Sequence, residues 1–309
     1  MYKVAKTQRI FLLVLAVLTA LLLLNPLSVH ADTGPKPSVR IRFENMGEEL
    51  CYGTLLSETR STGPQSVWDG SPETAYYKGN PNFSDAVFDY DTWRAFVRYN
   101  DSDGYFFLQT EWEVSQTKEI AWTYYPPQRF KILLYFPEEG KFVSGGICER
   151  YAFDSYYTVD MDGLNISSVT SGEEVLSPYR SYDYVNEVLS FLARVVVTVL
   201  VELGIAFLFG FRERKQILFL TAVNCVTQVL LNALLNLVNY FSGQLAFLLL
   251  YVALEIVVFV LEAAVYCLWM KKFSAQPKKN FVCVVYALVA NAVSFGAGLG
   301  LAVLIPGIF

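Results

Sequence analysis

Histidine is almost absent from this sequence: the 309 residues include one, His30. It lies in a segment with the pattern of a removable signal peptide, so we expect the mature chain to contain none. Without histidine there is no Ser-His-Asp or Cys-His catalytic group, no histidine-liganded zinc and no histidine-ligated haem. The shortage argues against an enzyme of these classes, and the sequence predicts neither a catalytic site nor a cofactor.

Charged residues are also scarce. They make up 17% of the chain, whereas 54% of the residues are hydrophobic, and soluble proteins contain about a quarter charged residues. This balance predicts a protein that contacts a lipid bilayer. With 24 Lys and Arg against 29 Asp and Glu, the formal net charge is −5. Because basic residues are not in excess, nucleic acid is not an expected partner.

Cysteine occurs five times, and only Cys51 and Cys148 precede the long apolar runs of the C-terminal part. In an oxidising compartment these two could form a disulfide that closes a loop of about 100 residues. The alternative is a pair of buried thiols, since a sequence does not show whether two Cα atoms are close enough to bridge. Both alternatives stay open at this stage, and no metal site is predicted.

The N-terminus has the three parts of a signal peptide. Lys3, Lys6 and Arg9 form a basic start, residues 10–24 are almost continuously apolar, and a small residue, Ala31, comes after the break at 25–26. This order predicts a signal peptide over residues 1–31 and export of the chain from residue 32 onward. An uncleaved signal anchor is the alternative, although the apolar run is short for a spanning helix.

Residues 32–188 have the composition of an exported soluble domain. They contain many turn residues, four of the five tryptophans, and 13 basic against 25 acidic residues, a net charge of −12. Alternating apolar residues predict a mostly β domain, with a first pair of strands followed by an antiparallel meander and one helix. The predicted strands are 39–43, 51–56, 105–114, 120–125, 130–136 and 141–143, and the predicted helix is 88–99.

Four long apolar runs lie in the C-terminal part, at about 189–211, 216–238, 245–270 and 281–304. Each is long enough to cross a hydrocarbon core of about 30 Å. The first and third connections carry the lysines and arginines, and the second, 239–244, carries no charge. The positive-inside rule therefore places the basic loops in the cytoplasm and the N-terminal domain outside. The predicted fold class is α+β: a mostly β extracytoplasmic domain followed by a four-helix transmembrane bundle, residues 189–309, in the cell membrane.

Polar residues recur inside the predicted spans. Three carboxylates are costly there, so each is expected to face the bundle or to be protonated. On the second run, amides recur every four residues and form a stripe that must face protein. The predicted membrane polar cluster comprises Glu202, Asn224, Gln228, Asn232, Glu255, Glu262 and Asn291.

Two interpretations of this cluster compete. In the structural one, the amides hydrogen-bond neutral Glu side chains and fix the helix register. In the functional one, the carboxylates relay protons or bind a cation or a cationic group. The four amides stacked on one helix favour the structural interpretation, and the three carboxylates favour the functional one.

Two features of the exported domain also have two interpretations. Its tryptophans and tyrosines are either platforms for sugars or core and cross-strand partners of a β-sheet. Glu111 and Glu113 point to the same side of a predicted strand, as either an acid/base pair or a solvated face.

The arrangement of Glu202, Asn224 with Thr227, and Glu255, Glu262 and Tyr266 in successive spans, with the stretch 130–157, resembles poorly characterised exported four-span membrane proteins of Gram-positive bacteria. The resemblance implies a bacterial cell membrane, and it carries over no activity and no site.

These observations lead to one expectation and one alternative. The expectation is a non-enzymatic envelope component that binds or senses something outside, with the lipid bilayer and envelope or transporter proteins as partners. The alternative is a small transporter or ion-conducting protein that uses the Glu/Asn cluster, although four spans are few for a secondary transporter.

Overall fold

The computed structural model describes residues 34–304, with side chains to residue 300. The predicted signal peptide, residues 1–31, lies outside the described residues, as does His30. Contacts divide the chain into two compact units, Pro35–Tyr182 and a segment that begins at Asp183. We call them the β unit and the helical unit. This boundary lies a few residues before the predicted one at 188/189.

The β unit contains two main sheets. The first has the strand order β11-β9-β1-β6, the second has the order β10-β8-β7-β2-β5, and β3 and β4 form a separate pair. The strands are β1 Ser38–Glu44, β2 Tyr52–Ser57, β3 Ser61–Thr62, β4 Gln65–Ser66, β5 Trp112–Glu113, β6 Glu119–Trp122, β7 Arg129–Phe136, β8 Lys141–Glu149, β9 Asp154–Asp160, β10 Glu173–Leu176 and β11 Tyr179–Arg180.

Strand β7 shows why the two sheets pack together. Phe130, Ile132 and Leu134 are fully buried and belong to the main core, which also contains Val39 and Ile41 of the other sheet. Side chains alternate between the faces of a strand, so the intervening residues of β7 point to the opposite face. That face is buried as well. This is why apolar residues occupy almost every position of β7.

Helix α1, Tyr90–Arg98, belongs to the cluster on that opposite face. The Asp89 side chain caps the helix by accepting a hydrogen bond from the backbone N–H of Thr92 at 2.7 Å. Trp93 and Phe96 are buried in one cluster with Leu133 of β7. The helix predicted over 88–99 is therefore confirmed. A second, four-residue helix, α2, spans Val114–Thr117.

Lys131, also on β7, is buried with its charge paired. Its Nζ donates hydrogen bonds to Asp101 at 2.9 Å and to Asp103 at 2.8 Å. Burial alone would lower the pKa of Lys131, but the hydrogen bonds to Asp103 and Asp101 outweigh it and raise that pKa. The lysine therefore stays charged and ties the 101–103 turn to the sheet.

Two sequence predictions about the strands are wrong, one about pairing and one about length. Strand β1 does not pair with β2: it runs antiparallel to β6 and parallel to β9. The strand predicted over 105–114 is reduced to Trp112–Glu113 and a single bridge at Phe106. Pairing over long sequence separations decided both points, and local alternation does not report it. The β7–β8 hairpin around Gly140 is confirmed.

In its described residues, the helical unit contains three long helices rather than the predicted four: α3 Tyr184–Leu208, α4 Arg214–Trp269 and α5 Asn280–Leu304. The predicted second and third spans, 216–238 and 245–270, both lie in α4, which consists of two helices that meet at a kink at Gly243. The sequence prediction assumed a loop at 239–244, whereas the chain there stays helical except at one residue.

That residue, Gly243, lets α4 reverse its direction. Its φ of 80° and ψ of 175° are not helical, and they lie in a region that only glycine adopts readily. The Tyr266 hydroxyl donates a hydrogen bond to the Asn224 side chain, 42 residues earlier. In a straight helix these residues would be about 63 Å apart. Helix α4 therefore consists of two antiparallel arms, which we call the first arm, before Gly243, and the second arm, after it.

All three helices are long and apolar enough to cross a membrane. In the most apolar stretch of each helix, only 22%, 28% and 39% of the residues are buried within the structure. Most of this apolar surface is therefore available to lipid. The chain is therefore a multi-pass membrane protein.

Candidate functional site

The seven residues of the predicted membrane polar cluster are all buried in the helical unit. Their exposed fractions range from 0% to 8%. Glu202 lies on α3, and Asn291 lies on α5. The others are divided between the first arm of α4, with Asn224, Gln228 and Asn232, and the second arm, with Glu255 and Glu262.

Glu262 lies where three helical segments meet. Its Oε1 accepts a hydrogen bond from Thr227 Oγ1 at 2.6 Å, and its Oε2 accepts one from Asn291 Nδ2 at 2.7 Å. Both carboxyl oxygens thus have partners, one on the first arm of α4 and the other on α5. In hydrocarbon, where no water replaces a missing partner, this arrangement fixes the three segments in register.

Glu202 is less completely satisfied. Its Oε1 accepts a hydrogen bond from Ser294 Oγ at 3.1 Å, whereas its Oε2 is buried and has no partner among the described residues. The carboxyl group interacts electrostatically with Glu262 and Glu255. Two nearby charged carboxylates repel each other in a low-dielectric interior.

The amide stripe on the first arm does not act as one ladder to the carboxylates. Asn224 accepts from Tyr266. Asn232 instead donates to the backbone oxygen of Gln228 at 2.9 Å, and Asn236 accepts a hydrogen bond from Arg194. The amide that does reach a carboxylate is Asn291 on α5. The four-residue period placed the stripe on one face, but it did not reveal the partner of each amide.

Sequence reasoning missed Ser294 and Tyr286. Ser294 donates to the Glu202 side chain, and the Tyr286 hydroxyl donates to the Glu202 backbone oxygen at 3.3 Å. Ser294 comes three residues after Asn291, so it lies on nearly the same helix face. This three-residue spacing from Asn291 is the sequence signal that could have identified Ser294.

Of the two alternatives for Cys51 and Cys148, the structure has the pair of free, buried thiols and not the disulfide. Tyr52, next to Cys51, lies opposite Tyr135 of β7, whereas Cys148 lies opposite Phe130. Five residues of an extended strand separate these positions by roughly 17 Å. A disulfide requires Cα atoms within about 7 Å.

Burial also makes these two thiols poor nucleophiles. It raises the pKa of the Cys51 thiol strongly and that of Cys148 to about 11. The thiolate is the reactive form. Neither cysteine therefore has the character of a catalytic residue.

The two neighbouring acids of the β unit have different surroundings. Glu111 is 6% exposed and Glu113 is half-buried. Neither Glu111 carboxyl oxygen has a hydrogen-bond partner among the described residues. Burial, and to a smaller extent the charge of Asp89, raises the pKa of Glu111 well above its ordinary value. The interpretation of Glu111 as part of a solvated strand face is therefore wrong.

The aromatic residues of the β unit divide into core and groove. Trp93 and Trp122 are buried, as the structural interpretation expects. A groove of about 300 Å³ is lined in part by Trp68, Tyr99 and Tyr105. Its lining combines aromatic residues with a polar one, Asn100, which is the usual composition of a small-ligand pocket.

Comparisons with known proteins add no assignment, because no protein-family model, curated protein or solved structure matches this chain. Within residues 34–304, no group of three or more His, Cys, Asp or Glu side chains is placed to hold a metal ion. The candidate sites are thus the membrane polar cluster and the aromatic groove.

Proposed function

We propose that this chain is a non-enzymatic component of the cell envelope that binds or senses a ligand outside the cell through its β unit. The aromatic groove is the observation that carries the proposal. Trp68, Tyr99 and Tyr105 line it together with Asn100. Sugars have apolar C–H faces and hydroxyl edges, so an envelope glycan fits this combination best.

Contacts between the two ends of α4 support an orientation in which the β unit lies outside the cell. Gln216 Nε2 donates to Ser274 Oγ at 2.7 Å, and the backbone N–H of Ala275 donates to Glu213 at 2.8 Å. The basic segments 212–215 and 271–279 therefore lie side by side, as antiparallel arms require. By the positive-inside rule both belong in the cytoplasm, and we propose that the β unit lies outside.

The groove is tested by glycan binding to the purified protein. The wild type should co-sediment with insoluble cell-wall peptidoglycan, and Tyr105→Ala should weaken this binding about tenfold by removing one stacking surface. Tyr179→Ala removes an exposed tyrosine of β11 that does not line the groove, and it should bind like the wild type. Absence of binding by the wild type, or equal losses in both variants, would contradict the proposal.

A second candidate function is transport or ion conduction. The observation that favours it is the buried Oε2 of Glu202, which has no hydrogen-bond partner within residues 34–304. Glu202→Gln can keep the hydrogen bond from Ser294 while removing the titratable group. If Glu202 conducts protons, proteoliposomes with the wild type should pass protons under an imposed potential, and the folded Gln variant should not. A purely structural Glu202 predicts no flux in either protein.

A further inference from the structure

Basic residues are concentrated in the two segments that connect the long helices, 212–215 and 271–279. The first segment contains three lysines and arginines and the second contains four, whereas the two segments together contain one acid, Glu213. Lys278 is half-buried and the other six basic side chains are exposed. These six, which we call the basic patch, are Arg212, Arg214, Lys215, Lys271, Lys272 and Lys279.

Tertiary contacts join the two segments into one surface. Ser274 accepts a hydrogen bond from Gln216 at 2.7 Å, which ties the end of the second arm of α4 to the start of the first. Lys278 Nζ lies 5.5 Å from the centre of the Phe211 ring, just after the end of α3. The positive charges therefore gather at one end of the helical unit instead of belonging to two separate loops.

The charge of this surface is not neutralised within the chain. The Glu213 carboxylate accepts hydrogen bonds from the backbone N–H of Ala275 at 2.8 Å and from Gln216 Nε2 at 3.3 Å. Among residues 34–304, no carboxylate forms an ion pair with any member of the basic patch. Like charges held close together repel each other, so an anion that reaches several of them at once would be bound favourably.

Exposed apolar side chains lie beside the basic patch on the helices. Leu218, three residues after Lys215, is 60% exposed, and Phe281, two residues after Lys279, is 75% exposed. Trp269, at the end of α4, is 38% exposed. Because these helices are long and apolar enough to cross a membrane, their ends lie at the depth of the lipid headgroups. A molecule that matches both parts of this surface has an anionic head and acyl chains.

We propose that the basic patch binds an anionic phospholipid. The phosphate accepts hydrogen bonds from lysine and arginine side chains of both segments, and the acyl chains pack along Leu218, Trp269 and Phe281. This site goes beyond the proposed ligand-binding function and shares no residue with the aromatic groove of the β unit. The failure of one proposal therefore leaves the other in place.

Native mass spectrometry of the purified full-length protein, in detergent, tests the proposal with dioleoylphosphatidylglycerol. Dioleoylphosphatidylcholine has the same acyl chains and no net charge, so it is the matched control lipid. We expect the anionic lipid to bind at least about tenfold more tightly. Equal binding of the two lipids would overturn the proposal. Protein in detergent has no membrane sides, so this result does not depend on the topology.

A double variant locates the site. Lys215→Gln combined with Lys271→Gln removes one exposed charge from each segment and should weaken binding of the anionic lipid about tenfold or more. Lys78→Gln combined with Arg98→Gln removes two exposed charges from the β unit and should leave the binding unchanged. An unchanged affinity in the first variant, or equal losses in both, would overturn the proposal.

A free anion is the competing occupant, and sn-glycerol 3-phosphate tests it because it carries the phosphate without acyl chains. If the basic patch binds phospholipid, an equimolar amount of this compound should not displace dioleoylphosphatidylglycerol. Displacement at equal concentration would mean that the patch binds phosphate alone, and it would overturn the phospholipid proposal.

Discussion

Glu111 shows how strongly one side chain depends on its surroundings. The residue lies one position before the short strand β5, where a solvated carboxylate would be ordinary. The fold buries it without a hydrogen-bond partner among the described residues, which destabilises the charged form. At neutral pH the β unit must therefore either hold a proton on Glu111 or bear the cost of a buried charge.

We predict that Glu111→Gln stabilises the β unit at neutral pH. The pKa of Glu111 is raised in the folded state, whereas in the unfolded chain a glutamate has a pKa of about 4.3. The contribution of the protonated group is complete below that unfolded pKa and is lost as the pH rises through the folded pKa. Glutamine stays neutral throughout. The variant should gain about 1 to 3 kcal/mol in free energy of unfolding at pH 7, and the gain should vanish near pH 4.

Urea unfolding followed by tryptophan fluorescence measures this effect at the two pH values. Glu113→Gln, at the half-buried neighbour, is the matched control and should change stability by less than about 0.5 kcal/mol. A Glu111→Gln variant that is less stable than the wild type at pH 7 would show that the carboxylate is ionised and paired.

At the element scale, α4 depends on one backbone conformation. Its two arms contact each other through Asn224 with Tyr266 and Thr227 with Glu262. These contacts form only if the chain reverses between them. The reversal takes place at Gly243, whose φ/ψ values a side chain disfavours.

We predict that Gly243→Ala destabilises the helical unit by about 1 to 3 kcal/mol, because a Cβ atom strains this conformation. Gly204→Ala is the control. Gly204 lies inside α3 with open space around it, so the change should be neutral or should stabilise the helix by up to about 1 kcal/mol. Denaturant titration followed by circular dichroism at 222 nm compares the two variants, and equal stabilities would mean that the reversal does not depend on Gly243.

At the scale of the whole molecule, the two units have separate cores. The β unit packs its two sheets around one apolar cluster, and the helical unit has its own clusters of buried residues. A unit of this size can bury enough apolar surface to fold without the rest of the chain.

We therefore predict that residues 35–182 fold alone. The isolated fragment should unfold cooperatively in urea and give a dispersed amide NMR spectrum. If this fragment shows neither property, the β unit needs the helical unit to fold.

The predicted topology is tested by thiol labelling of intact cells in a cysteine-free background. Cysteine at Ser242, between the arms of α4, should react with an impermeant reagent, and cysteine at Lys215 should not. Cysteine at Val87, which is 69% exposed on the β unit, should react like the one at Ser242. Labelling at Lys215 alone would invert the orientation.

Local sequence patterns predicted the multi-pass character, the division into a β part and an apolar helical part, helix α1 and the β7–β8 hairpin. Each depends on local composition, periodicity or a turn, which short stretches of sequence carry. The sequence also selected residues that are buried in the helices, because an amide or carboxylate in an apolar run must face protein.

Which of these residues contact one another depends on how distant parts of the chain fold together. The pairing of β1 with β9, the separation of Cys51 from Cys148, and the contact of Glu262 with Asn291 all join positions far apart in the chain. The energy of such contacts depends on how distant segments pack, and a local pattern does not contain that information.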